Sequence, residues 1–140
     1  MSNYKHSHIT EKIIKAYYRV YNTLGFGFLE KVYVKSLIIE LRKEGLETLK
    51  EYPIDVYYEE FKVGLYYADI IVERKVIIEV KAVEALCSEH DAQIINYLKA
   101  TDIEVGLLCN FGKIPEIRRK VLSAEYKNQR SNESDKIVFD

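Results

Sequence analysis

The sequence predicts an α/β domain, a central mixed β-sheet flanked by helices in the order α-α-β-β-β-α-β-α. Three observations predict it. Apolar residues recur at helical spacing up to position 43 and again from position 90. Between positions 46 and 83 the pattern changes to runs of Val, Ile and Tyr, the residues enriched in strands. The third of these runs is apolar almost throughout, and a further short apolar run follows at 104–110. Such runs suit central strands covered on both faces.

The elements follow in chain order. Ile9 to Leu24 reads as a helix, with Thr10 as N-cap and Ile13, Ala16, Tyr17, Val20 and Leu24 as its apolar stripe. "GFG" at 25–27 punctuates the chain. Phe28 to Lys43 is a second helix, striped by Leu29, Val32, Tyr33, Leu37 and Leu41 and followed by Gly45. Strands are placed near Thr48–Tyr58, Phe61–Val72 and Val76–Val83, joined by turns at "EEF" and "ERK". His90 to Ala100 reads as a helix, Glu104 to Asn110 as a short strand, and Ile114 to Leu122 as a final helix with Pro115 in its first turn. Residues 123–140 are polar and read as a mobile tail, outside a core of about 8–122. The closing "KIVFD" could add an edge strand to a neighbour.

Composition narrows the function. The 140 residues suit one domain, and 48% hydrophobic residues suffice for a core. No apolar run is long enough to span a bilayer, and the N-terminus has no continuous apolar segment of the secretory kind, so a cytoplasmic location is expected. Cys87 and Cys109 are expected to be reduced and structural, and they are too few for a cysteine-built metal site. A net charge of −1 argues against indiscriminate, charge-driven nucleic-acid binding but leaves room for a local basic cleft. The twelve tyrosines read as amphipathic packing residues with the hydroxyl at the core edge.

Chemistry concentrates in "YYADIIVERKVIIEVKAVEAL", Tyr66 to Leu86. Glu79 and Lys81 are two apart on one strand and so point to one face. With the turn centred on Arg74, Asp69 lies opposite Glu79 and three ionisable groups converge. A slip of one residue would send Asp69 to the other face. Two carboxylates this close repel unless a cation joins them. Mg²⁺ suits the pair, because it needs only one or two protein carboxylates and keeps several waters. Lys81, too positive to be a ligand, can orient a water or neutralise charge on a phosphate. The set suits phosphodiester hydrolysis. A cross-strand salt bridge from Lys81 to either acid is the alternative.

"GFLEKVY", Gly27 to Tyr33, resembles the GxxExxY signature that names a small family. "YADIIVERKVIIEVKAV", "HDAQIINYLKAT" and "VGLLCNFG" resemble the rest of that family's pattern, in order, over roughly His8 to Leu122. The family is placed in the PD-(D/E)XK nuclease superfamily, with a restriction-endonuclease-like core. The resemblance implies that Asp69, Glu79 and Lys81 are the catalytic triplet. It implies that Glu30 is the acid of the first core helix, joining Asp69 and Glu79 toward a metal. "QIINY" resembles the Q-x-x-x-Y motif of one nuclease branch, which implies a site role for Gln93 and Tyr97. Ala68 stands where the superfamily often has proline.

The expected activity is that of a Mg²⁺-dependent nuclease, with Mn²⁺ as substitute and DNA as partner. A nuclease-fold module that binds nucleic acid or protein without cutting is the rival reading. A homodimer would enlarge the binding surface under either. Simpler roles stand beside the site assignments. Glu30 could be a helix N-terminal acid, worth a few tenths to about 1 kcal/mol. Gln93 and Tyr97 could be hydrogen-bonding groups at the core edge. Lys113, Arg118, Arg119 and Lys120 read as a solvated basic face, and Asn110 and Gly112 as turn residues. His90 reads as a cap or surface residue, and His6 and His8 lack a third ligand.

Overall fold

A computed structural model describes residues 5–127, so "KIVFD" and most of the tail lie outside the described residues. The chain runs α1 (Ser7–Leu24), α2 (Glu30–Lys43), β1 (Thr48–Tyr58), β2 (Phe61–Val72), β3 (Val76–Lys81), α3 (Ser88–Lys99), β4 (Val105–Phe111) and β5 (Pro115–Val121). The strands form one sheet in the order β1-β2-β3-β4-β5. Only β3 and β4 run parallel, and α3 supplies the crossover that a parallel pair requires. This is a restriction-endonuclease-like α/β fold with helices on both sheet faces.

Two apolar layers sandwich the sheet. On one face Ile13, Tyr17, Leu37 and Leu41 of α1 and α2 meet Ile70, Val72, Val76, Ile78, Val80, Leu107 and Cys109. On the other, Ile94, Tyr97 and Leu98 of α3 meet Ile54, Ala68, Ile71 and Ile77. Consecutive strand residues thus serve opposite faces, which is why β3 and β4 read as unbroken apolar runs. Cys109 is buried and Cys87 exposed, and neither is bridged. No helix among the described residues is long and apolar enough to cross a membrane.

The last helix of the sequence reading is a strand. Residues 115–121 pair antiparallel with β4, from Phe111↔Pro115 to Val105↔Val121. Pro115 sits at the first position of this edge strand, where its missing N–H is tolerated. Without β5, the β4 backbone would lack partners along a whole edge, a demand from another segment that local periodicity does not register. The basic cluster is largely tied down. Arg118 Nη1 lies 2.8 Å and Lys120 Nζ 3.3 Å from Asp91, and Arg119 donates to the Lys5 carbonyl.

Smaller corrections concern termini. Helix α1 begins at Ser7, and Thr10 is buried one turn inside it, its hydroxyl donating to the Ser7 carbonyl. Helix α3 begins at Ser88 with Cys87 as N-cap, and His90 Nδ1 accepts the Cys87 N–H, so His90 is a cap. Gly45 closes α2 with a φ of 78° while the Leu46 N–H returns to the Leu41 carbonyl. Residues 124–127, expected in the tail, form a helical turn held by Lys127 Nζ on the Thr101 and Ile103 carbonyls.

Tyrosine usage divides. Tyr17 and Tyr33 are fully buried and bonded to backbone, as the packing reading expects. Tyr52, Tyr57, Tyr58, Tyr66 and Tyr67 instead stand at least 40% exposed on the β1–β2 ribbon, which projects past the helices that cover its base.

Candidate active site

The site begins at the β2–β3 turn. Glu73 and Arg74 both have positive φ, 52° and 56°, and the Lys75 N–H bonds to the Val72 carbonyl. This three-residue connection, Glu73 to Lys75, sets Val72 opposite Val76, Ile71 opposite Ile77 and Ile70 opposite Ile78. Glu47 braces it through an ion pair to Arg74 and backbone bonds to Glu73.

The ladder then opens. Beyond Ile70, β2 continues with β1 alone, and beyond Ile78, β3 continues with β4 alone. Asp69 and Glu79 stand at the crotch of this fork. Their carboxylates replace the missing ladder bonds: Asp69 N–H donates to Glu79 Oε1 at 2.9 Å, and Val80 N–H donates to Asp69 Oδ2 at 2.8 Å. The register puts Glu79 opposite Leu108 and Lys81 opposite Asn110, so Glu79, Lys81 and Ile77 share the face toward α3.

β2 and β1 change face at this fork. Ala68 and Ile71 pack in the same apolar layer although three apart, as do Ile54 and Leu49 five apart. Regular alternation would put each pair on opposite faces. The change falls at Asp69 on β2 and at Glu51, with φ 50°, on β1. The twist aims Asp69 sideways at β3.

The electrostatics are those of a carboxylate pair out of water. Glu79 is only 3% exposed. Burial first, and the Asp69 charge second, push its carboxyl up to about 8. Asp69 is also raised, by burial and by the charge of Glu30, while the Val80 N–H and Lys81 act the other way. Glu30, the exposed first residue of α2, thus bears on Asp69 from the opposite helical layer.

On α3, Gln93 Nε2 donates to the Tyr97 hydroxyl at 2.8 Å. The Tyr97 ring is buried against Ile94 and Leu98 and lies 5.8 Å from the Tyr66 ring. Burial raises the Tyr97 phenol, and the nearby charges of Glu79 and Asp69 raise it further. Tyr97 therefore belongs both to the core edge and to the carboxylate neighbourhood.

The donor set fits one hard cation. Among the described residues no three His, Cys, Asp or Glu side chains stand close enough to hold a metal together. Asp69 and Glu79 are the two carboxylates at the fork that a cation could join, and Glu30 is not brought together with them as a third. Two carboxylates suffice for Mg²⁺, which keeps its remaining waters, and a cation would relieve the Asp69 repulsion that adds to burial in raising Glu79.

Asn110, a turn residue by its sequence context, lies inside β4 and is fully buried. Its amide takes both backbone groups of Val83: Val83 N–H donates to Oδ1 at 3.0 Å, and Nδ2 donates to the Val83 carbonyl at 2.9 Å. It thereby fixes the chain just after Lys81. One polar residue in the apolar run "VGLLCNF" was the available signal. Asn110→Ala should lower the unfolding free energy by about 3 kcal/mol, because two buried backbone groups lose their partners. Urea titration at pH 7 would measure this, and a loss below about 0.5 kcal/mol would refute it.

A family model described as the PD-(D/E)XK nuclease superfamily matches residues 7–121. No curated protein and no solved structure matches the chain significantly.

Proposed function

Because the chain belongs to the PD-(D/E)XK nuclease superfamily, whose members generally use divalent metals, we propose that it hydrolyses phosphodiester bonds in DNA with Mg²⁺ held by Asp69 and Glu79. The observation that carries this reading is the forked ladder. Two strands give up their mutual hydrogen bonds where two carboxylates, with Lys81 two residues on, stand together at the fork. A surface salt bridge would need neither the burial of Glu79 nor the opening of the sheet.

The finer placement in the GxxExxY group has structural support. Gly27 holds a φ of 111°, which favours glycine. Glu30 opens α2, and the buried Tyr33 hydroxyl bonds back to the loop at Gly25 and Phe28.

A bound cation would supply Lewis-acid activation of the phosphate and a water of lowered pKa. The chain's own groups then divide the remaining work. Lys81 brings a positive charge to the phosphate oxygens, where charge grows as the bond breaks. It also offers N–H donors to orient the attacking water. Glu30 adds negative charge at the outer edge, favouring a cation over a bare proton on the pair. Gln93 holds the Tyr97 hydroxyl by donating to it, which leaves the Tyr97 O–H free to donate a hydrogen bond to a phosphate oxygen.

Cleavage assays on labelled DNA and RNA, single- and double-stranded, in Mg²⁺, Mn²⁺ or EDTA test the reading. Cutting that needs the metal and favours DNA is expected. Nucleic-acid binding without cutting in any metal would select the inactive-module reading instead.

A further inference from the structure

The fork leaves two diverging arms, β2 before Asp69 and β3 after Glu79. Lys81 stands on the β3 arm, on the face toward α3. Tyr66 stands on the β2 arm and faces α3 as well. It pairs with Ile54 and lies two residues from Ala68, and both of these pack in the α3 layer. Its ring lies 5.8 Å from the ring of Tyr97, which is near enough to Glu79 and Asp69 to feel both charges.

A cleft of about 460 Å³ continues from Tyr66 between the β1–β2 ribbon and α3. Tyr57 and Tyr66, 59% and 51% exposed, line it from the ribbon, and Asn96 and Lys99 line it from the helix. Gln93, Asn96, Tyr97 and Ala100 recur at i, i+3, i+4 and i+7, so one face of α3 runs from the Gln93–Tyr97 pair into the cleft. Among the described residues, the Asn96 amide and the Lys99 ammonium have no hydrogen-bond or ion-pair partner. The carboxylate in the lining, Asp55, is met by Lys62 at 3.0 Å, so Lys99 supplies the open charge.

We propose that this cleft holds a base of the strand whose phosphate lies at Lys81, and that the protein acts on single-stranded polynucleotide. The proposal rests on the nuclease reading above. Tyrosine rings stack on a base whatever its identity. The Asn96 amide offers a donor and an acceptor to a base edge. Lys99 offers a cation to the adjoining phosphate. The shared sheet face, the shared face of α3 and the Tyr66–Tyr97 contact join the cleft to the fork. A base inside a duplex is already paired and stacked, so it enters only when extruded.

The test uses the full chain on a Lys81→Ala background with Mn²⁺ present. Fluorescence anisotropy would compare a short labelled single strand, its blunt duplex, and a base-free sugar–phosphate strand of equal length. The single strand should bind about tenfold tighter than either of the others, from base–aromatic stacking. Tyr57→Ala, remote from Tyr97, should bring it down to the base-free strand, and Tyr57→Phe should retain the difference. Lys99→Ala should weaken both single strands alike and reduce the slope of log affinity against log salt by about 0.7. Mn²⁺ titration should be unchanged in all three variants. Equal binding of the three probes, no binding of any, or no effect of Tyr57→Ala would overturn the cleft assignment. So would a concentration-dependent dimer that Tyr57→Ala dissolves, since the cleft would then hold a second copy. If the native chain binds Mn²⁺ and cuts, yet base-bearing and base-free strands bind equally, the nuclease reading stands and the cleft assignment fails. If it binds no Mn²⁺ and cuts nothing, yet Tyr57→Ala removes a base-dependent difference, the cleft stands and the nuclease reading fails.

Discussion

Asp69→Asn should abolish cleavage and weaken Mn²⁺ binding together, whereas Lys81→Ala should abolish cleavage alone. The difference follows from where each group stands. Asp69 is one of the two carboxylates proposed to hold the ion, so its amide removes half of that negative charge. Its oxygen can still accept the Val80 N–H, which keeps the variant folded. Lys81 contributes no ligand. Its removal deletes a positive charge near the cation site, so Mn²⁺ affinity should hold or rise. Cleavage should nevertheless fall by about a hundredfold or more, the usual loss when a group stabilising transition-state charge is deleted. Calorimetric Mn²⁺ titration and a strand-cleavage assay on the same preparations separate the two roles. Equal cleavage by Lys81→Ala and the native chain would reduce Lys81 to a partner in a structural ion pair.

The metal-free protein should lose stability as the pH rises from about 4.5 to about 8, on the order of 3 kcal/mol or more. In the fold the Glu79 carboxyl is raised to about 8 from an ordinary 4.5. Below 4.5 both folded and unfolded chains carry the proton, and the contribution is complete. Between the two values the unfolded chain releases its proton while the folded chain keeps it, so folding becomes less favourable. Above 8 the loss is complete. Asp69 on β2, Lys81 on β3 and Tyr97 on α3 are the ionisable groups that bear on this carboxyl, and Glu30 on α2 acts on Asp69. The negative ones add to the burial effect, and Lys81 opposes it. Bound Mg²⁺ should flatten the profile, since a ligand taken only by the folded state stabilises it. Glu79→Gln in EDTA should flatten it too and exceed the native chain in stability at pH 8. Urea midpoints at about pH 5, about pH 6.5 and about pH 8, with and without Mg²⁺, would show this. A native midpoint that does not move with pH in EDTA would mean that Glu79 is ionised in the fold.

The site residues were legible because each follows a local rule. Alternation puts Glu79 and Lys81 on one face. A turn centred on Arg74 puts Asp69 beside Glu79, and the structure has that register up to Ile70↔Ile78. Helical spacing joins Gln93 to Tyr97. All of these depend on contacts within about a dozen positions, where backbone geometry alone relates the residues. Asn110 reads as a turn residue in sequence because its work is to bind Val83, 27 residues away, and no local pattern marks such a partner.

The sequence by itself determined the α1 stripe, the α2 stripe except Leu29, which stands exposed before the helix, the apolar β3 and β4, and the turn at Glu73–Lys75 that brings Asp69 to Glu79, since periodicity and turn geometry act over short range. Tertiary structure decided the rest. It made residues 115–121 a strand, because β4 needed a partner along its edge. It opened the ladder at Asp69 and switched the face of β1 and β2 there, because β1 and β4 draw the two strands apart. It buried Glu79 between layers contributed by distant segments. Burial and pairing are sums over the whole chain, and the unusual acidity at this fork arises from them.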